Sequence, residues 1–230
     1  MTQHKRIGWL DLWRTVAIVL MLAYHFIFDL VSFGYLPVPV MELPVMTAVR
    51  LFTCSSFIFL AGISACFSRN CLRRGVIAFG AGLLVTAASL LVDFPVYFGI
   101  LQLLGLCMVL YGLCGERLRS LPAVWTAVCA AALFIISFPC ASGVETDISW
   151  LWIFGFVTPD FFSGDYYPVF PWMFLFILGT CLGAKLKSLP EEGFLYKPLP
   201  DFLLAPGRHS LIIYLLHQPL FYGLCTLIFR

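Results

Sequence analysis

Asp11, Arg14, His25 and Asp29 interrupt an otherwise apolar run, residues 9–33 (WLDLWRTVAIVLMLAYHFIFDLVSF). At 100° per residue they share one stripe of a helix with Ile18 and Leu22. Arg14 and His25 are then roughly 16.5 Å apart along that face, and His25 and Asp29 about one turn apart. The second pair is suited to proton transfer. An Asp at i+4 can accept from one imidazole nitrogen, fix the tautomer and leave the other nitrogen to take a proton. With an unperturbed pKa of about 6.5, imidazole can do this near neutral pH. A structural hydrogen-bonded pair is the alternative. Arg14 reads either as a positioning bridge to Asp11 at i+3 or as an anion site, since guanidinium binds phosphate in bidentate fashion.

The element that must carry these groups is a transmembrane helix. Each central Arg or Asp costs about 2.5–3.5 kcal/mol to insert, while each Leu, Ile or Val returns only about 0.3–0.6. The stripe therefore has to face protein or a wet cavity, and not lipid. Of the 230 residues 61% are hydrophobic and 11% charged, against about 25% charged in a soluble domain. The apolar residues form continuous runs and do not alternate, which favours helices over a barrel. The expected fold is an all-α polytopic bundle of about seven spans, near 9–33, 46–67, 72–92, 98–115, 121–140, 167–185 and 209–229, forming a single domain over 1–230. The stretch 149–162 is too short and interrupted to cross. The first run is too long and lacks a small-residue site for a cleavable signal, so it is expected to stay as an anchor. The nine cysteines lie mostly inside apolar runs, without the spacing of a disulfide framework or a zinc site.

Connector charges predict orientation. One side collects Lys5, Arg6, Arg69, Arg73, Arg74, Arg117, Arg119, Lys185, Lys187, Lys197 and Arg208. The other collects Glu42, Asp93, Glu145, Asp147, Asp160 and Asp165, with Arg50 and Arg230 as its cations. The positive-inside rule puts the N-terminus in the cytoplasm and the C-terminus outside. Arg14, Arg69, Arg73, Arg74 and Arg208 then gather at the inner face. Arg50, Asp93, Gln102 and Asp165 lie at the outer depth of His25 and Asp29. Arg50 needs a carboxylate, Asp29 or Asp93, unless it snorkels to the interface. Arg69, Arg73 and Arg74 read either as anchoring charges or as contacts to a nucleotide 3′-phosphate. Gly179 and Gly183 are spaced for close helix packing. The connector 190–206 is long enough for a lid or an amphipathic segment. No ligand spacing supports a metal at His25, Asp29 and Asp165, and no nucleic-acid partner is expected.

Arg14 followed by His25 within LDLWRTVAIVLMLAYH resembles the first helix of membrane acyltransferases that O-acylate extracellular sugars. Together with FLAGIS (59–64), FGILQLLGL (98–106), DYYPVFPWMFLFILG (165–179) and GRHSLIIYLLHQP (207–219), the chain most resembles bacterial relatives of heparan-α-glucosaminide N-acetyltransferase. The resemblance implies a multi-pass protein of a bacterial cytoplasmic membrane. It would transfer an acyl group, acetyl by preference, from cytosolic acyl-CoA to a hydroxyl or amine of a glycan or lipid head group outside. By carry-over, Arg14 and His25 take the motif's places, with His25 as the catalytic residue, and His217 and Gln102 match residues of the family's late and middle helices. On the physical reading, Asp29 orients His25 and acyl-CoA is held at the inner face by Arg14, Arg69, Arg73, Arg74 and Arg208. Arg50, Asp93, Gln102, Asp165 and His217 are then the substrate contacts, with Arg50 or Gln102 facing the oxyanion. His25 as a base in a ternary complex and His25 as an acyl carrier both remain open. The better-known relatives have ten or eleven spans, a difference that leaves room for a homo-oligomer to complete a cavity. Two other readings of the same stripe stand beside this one: a small proton-coupled transporter, and a non-catalytic scaffold in which the polar groups are only packed. The absence of an inverted repeat weighs against the transporter.

Overall fold

A computed structural model describes residues 6–228. Lys5, Arg230 and the end of the seventh expected span lie outside the described residues. The helices are α1 Gly8–Ser32, α2 Pro39–Glu42, α3 Pro44–Phe67, α4 Cys71–Leu90, α5 Ile100–Ser120, α6 Ala123–Ile136, α7 Val169–Lys187, α8 Asp201–Arg208 and α9 Ser210–Ile228. The protein is an all-α polytopic bundle. Six of these helices, α1, α3, α4, α5, α7 and α9, are long and apolar enough to cross a membrane, and α6 is a shorter apolar helix. At 14 residues, α6 rises about 21 Å, short of the roughly 30 Å hydrocarbon core. The expected span over 121–140 stops early because Pro139 cannot continue the ladder, and a 3-10 turn, Phe138–Ser142, takes over. The stretch 149–162 holds another 3-10 turn, Ser149–Phe154, and one strand of a two-residue parallel pair, β1 Val144–Glu145 with β2 Phe156–Val157.

The chain divides into two compact units, one of Met1–Phe57 with Pro190–Arg230 and one of Ile58–Leu189. In the first unit α1 packs against α8 and α9. The buried face of α1 is the polar stripe: Asp11, Ala17, Ile18, Met21 and Asp29 are buried, whereas Val16, Val19 and Phe26 on other faces are exposed. Gly34, at φ +80°, reverses the chain after α1, and the Tyr35 N–H closes on the Leu30 carbonyl at 2.8 Å. Trp9 stacks on Phe194 with centroids 4.8 Å apart and donates its indole N–H to the Phe194 carbonyl at 3.2 Å. The connector before α9 is thereby laid against the start of α1.

In the second unit α4 runs along α5, and α6 packs on α7. Gly62 and Gly179 let α3 and α7 meet backbone to backbone, since a Cβ on Gly62 would lie 2.1 Å from the Phe176 carbonyl oxygen. At the C-terminal ends of α5 and α7, Arg119 donates to the Tyr111 hydroxyl (3.1 Å) and Lys187 to the Cys66 carbonyl (3.1 Å). Cations there complement the negative ends of the helix dipoles.

Candidate active site

Two polar clusters occupy the first unit, both on the buried face of α1. The first is built on Asp11, which is 1% exposed. Its carboxylate accepts from Arg6 Nε (2.5 Å) and Nη2 (3.2 Å) and from Arg14 Nη1 (2.6 Å), and Arg208 Nε stands 3.7 Å away. Arg208 also donates to Asp201 at 3.0 Å. Three guanidiniums thus gather around one buried carboxylate, with Asp201 beside Arg208. Arg208 reaches Asp11 because α8 lies hard against α1. The Thr15 hydroxyl donates to the Leu203 carbonyl (2.7 Å) and accepts from the Gly207 N–H (3.0 Å). Gly207 has to be glycine there, since a Cβ would fall 2.2 Å from the Asp11 carbonyl oxygen.

The second cluster lies further along the same face, where α9 meets α1. The rings of His25 and His217 are 4.8 Å apart and tilted by 60°. His217 is 6% exposed and its Nδ1 lies 2.6 Å from the Tyr214 carbonyl oxygen. Asp29, 2% exposed, accepts from Gln218 Nε2 at 2.8 Å. The hydrogen bond expected from His25 to Asp29 is not made: the Gln218 amide occupies one oxygen of Asp29, and the His25 ring lies against His217. Three buried atoms of this cluster, Asp29 Oδ2, His217 Nε2 and Gln218 Oε1, have no hydrogen-bond partner. An unmet buried polar atom costs about 1–3 kcal/mol, so their concentration on one helix pair points to a ligand site.

Arg50 is exposed on α3 and makes no ion pair among the described residues, in keeping with a snorkelling side chain. Arg69, Arg73 and Arg74 are exposed around the start of α4 and form no ion pair among the described residues. Asp93 is exposed in a turn at φ 55°, a left-handed conformation that Asp tolerates. Gln102 has both ends of its amide engaged, Oε1 accepting from the Gly99 N–H (2.7 Å) and Nε2 donating to Thr86 Oγ1 (3.1 Å). It fastens the start of α5 to α4. Asp165 Oδ2 accepts from the Ile100 N–H at 3.4 Å, meeting one of the open donors at the N-terminus of α5. These last two serve helix ends.

A family model described as "Heparan-alpha-glucosaminide N-acetyltransferase, catalytic" matches residues 6–219, a stretch that contains both clusters. The chain belongs to that family. Comparison with curated proteins and with solved structures gives no match. Membership in the heparan-alpha-glucosaminide N-acetyltransferase family brings a membrane acetyltransferase-type function. Set against that function, sequence reasoning overlooked two residues of the clusters. Arg6 sits five positions before Asp11, outside the helix, where periodicity gives no signal. Gln218 follows His217 directly in LLHQP, and it is the Asp29 contact 189 residues away in sequence that distinguishes it.

Proposed function

We propose that the chain moves an acetyl group from acetyl-CoA, bound at the cytosolic side, to a hydroxyl or amine of a glycan or lipid-linked acceptor on the opposite side. The observation that carries this reading is one buried ridge of α1, with three arginines around Asp11 at one end and the His25–His217 pair roughly 16.5 Å along it. Guanidiniums suit the phosphates of CoA. The long pantetheine arm would follow the ridge and bring the thioester to His25. There His25 acts on the acetyl group or on its acceptor, as an acyl carrier or as a base. The connector charges support a cytosolic N-terminus, because the arginine cluster belongs to the cation-rich side.

Donor binding tests this reading. A ligand that binds only the folded state at about 100 times its Kd adds about 2.7 kcal/mol of stability, so CoA should raise the melting temperature of the detergent-purified protein by several degrees. Arg14→Ala should shrink that rise. No rise at saturating CoA would overturn the reading, and an equal rise in Arg14→Ala would take Arg14 out of the donor site.

A further inference from the structure

The second cluster contains one base whose proton state is legible. A carbonyl oxygen only accepts, so the contact between His217 Nδ1 and the Tyr214 carbonyl at 2.6 Å requires the proton on Nδ1. In the neutral ring Nε2 is then a bare lone pair, and it is buried with no partner. The neighbouring amide is equally defined. A carboxylate accepts, so Gln218 presents its NH2 to Asp29 at 2.8 Å and leaves Oε1 open. Asp29 Oδ2 is open as well. His217 and Gln218 face the same turn of α1, the one that holds His25 and Asp29. Each of these three buried, unsatisfied atoms is therefore an acceptor, and what completes them is a group that brings N–H or O–H donors. The acyl acceptor is such a group, whereas the thioester carbonyl and sulfur of the donor are not.

We infer that His217 is the base that takes the acceptor's proton, while Gln218 Oε1 and Asp29 Oδ2 hold its remaining donors. This rests on the acetyl-transfer reading and adds to it a division of labour between two imidazoles, with His25 on the acetyl side. The step balances. The acceptor nitrogen or oxygen forms a bond to the acetyl carbon as its proton passes to His217 Nε2. The bond from that carbon to the CoA sulfur, or to the His25 nitrogen if the acetyl group has been carried there first, breaks with its electron pair. The proton on His217 then neutralises the CoA thiolate, directly or through water, and free CoA thiol leaves.

The test uses the whole protein in detergent with acetyl-CoA and two probe acceptors, glucosamine and hydroxylamine. The amine of glucosamine has to shed a proton in the transfer, whereas hydroxylamine is a strong nucleophile that depends far less on a base. General-base catalysis contributes about 100- to 10,000-fold. His217→Ala should therefore slow acetylation of glucosamine at least about 100-fold, and should lower the ratio of glucosamine to hydroxylamine transfer at least tenfold. The KM for acetyl-CoA should stay within about threefold. His217→Gln, which keeps a polar side chain in the same space, should show the same ratio change if the alanine variant does not fold. An equal loss on both acceptors in a folded variant, or no loss on either, would overturn the role of His217. Wild-type protein that binds CoA but acetylates neither probe would also overturn it. Failure of wild-type protein to bind CoA would instead bring down the underlying reading.

Discussion

A carboxylate 2% exposed with no ion pair among the described residues is an expensive residue, and Asp29 is one. Its only side-chain hydrogen-bond donor among the described residues is Gln218, so the pair joins α1 to α9 and also forms the floor of the histidine cluster. Gln218→Leu would leave both Asp29 oxygens unmet. Loss of a hydrogen-bond donor to a buried charged group costs about 1–3 kcal/mol or more, and thermal unfolding should register that loss as a lower melting temperature. An unchanged melting temperature would mean that water or a bound molecule already serves Asp29. The same residue shows how far spacing alone can be read. An i+4 relation brings His25 and Asp29 to one face, as the sequence implies, but it cannot say which partner wins. The competing amide comes from a helix 189 residues later. Arg14 with Asp11 is the opposite case: at i+3 the bond forms as the spacing allows, at 2.6 Å, and what the spacing could not convey is that Arg6 and Arg208 share the same carboxylate.

At the scale of elements, α8 supplies the third arginine of the cluster, and α8 is held by a close approach at Gly207. A methyl group there would meet the Asp11 carbonyl oxygen at 2.2 Å and push the helix away. Gly207→Ala should lower stability by about 1–3 kcal/mol, the usual cost of overpacking, and weaken CoA binding with it, because Arg208 would leave Asp11. Gly223 is the control within α9. Nothing lies within 4 Å of its missing Cβ, so Gly223→Ala should leave CoA affinity unchanged and raise helix stability by about 0.5–1 kcal/mol. Thermal melts with and without CoA read both changes, and equal behaviour of the two variants would show that contact at Gly207 does not control the cluster. The long apolar helices were legible because a span is a run of about 20 apolar residues whatever it packs on. The limits of α6 were less legible, since Pro139 and Ser137 shorten it by local backbone chemistry inside an unbroken apolar run. The helix α8 could be foreseen only as a connector: at eight residues with a proline inside, its place is set by tertiary contacts to Thr15 and Asp11.

At the scale of the whole molecule, the arrangement amounts to one buried ridge that links a cation-rich end to a pair of imidazoles. That ridge was readable from insertion cost alone, because four ionisable groups on one stripe cannot face lipid. Gln102 and Asp165 mark where residue type alone stops deciding. Polar side chains inside an apolar sequence stand out equally whether they touch a substrate or cap a helix, and both of these bond to backbone N–H groups at the start of α5. Transfer along the α1 ridge makes a demand that neither a scaffold nor a soluble-type acetyltransferase would meet, and vesicles can test it directly. Protein is reconstituted in sealed vesicles with glucosamine trapped inside and acetyl-CoA supplied outside, and acetylated glucosamine is measured in the lumen. Wild-type protein should accumulate it, and His25→Ala should do so at least about 100-fold more slowly with unaltered CoA binding. Product that forms only when donor and acceptor share a side, or His25→Ala working as fast as wild type, would contradict transfer through the ridge.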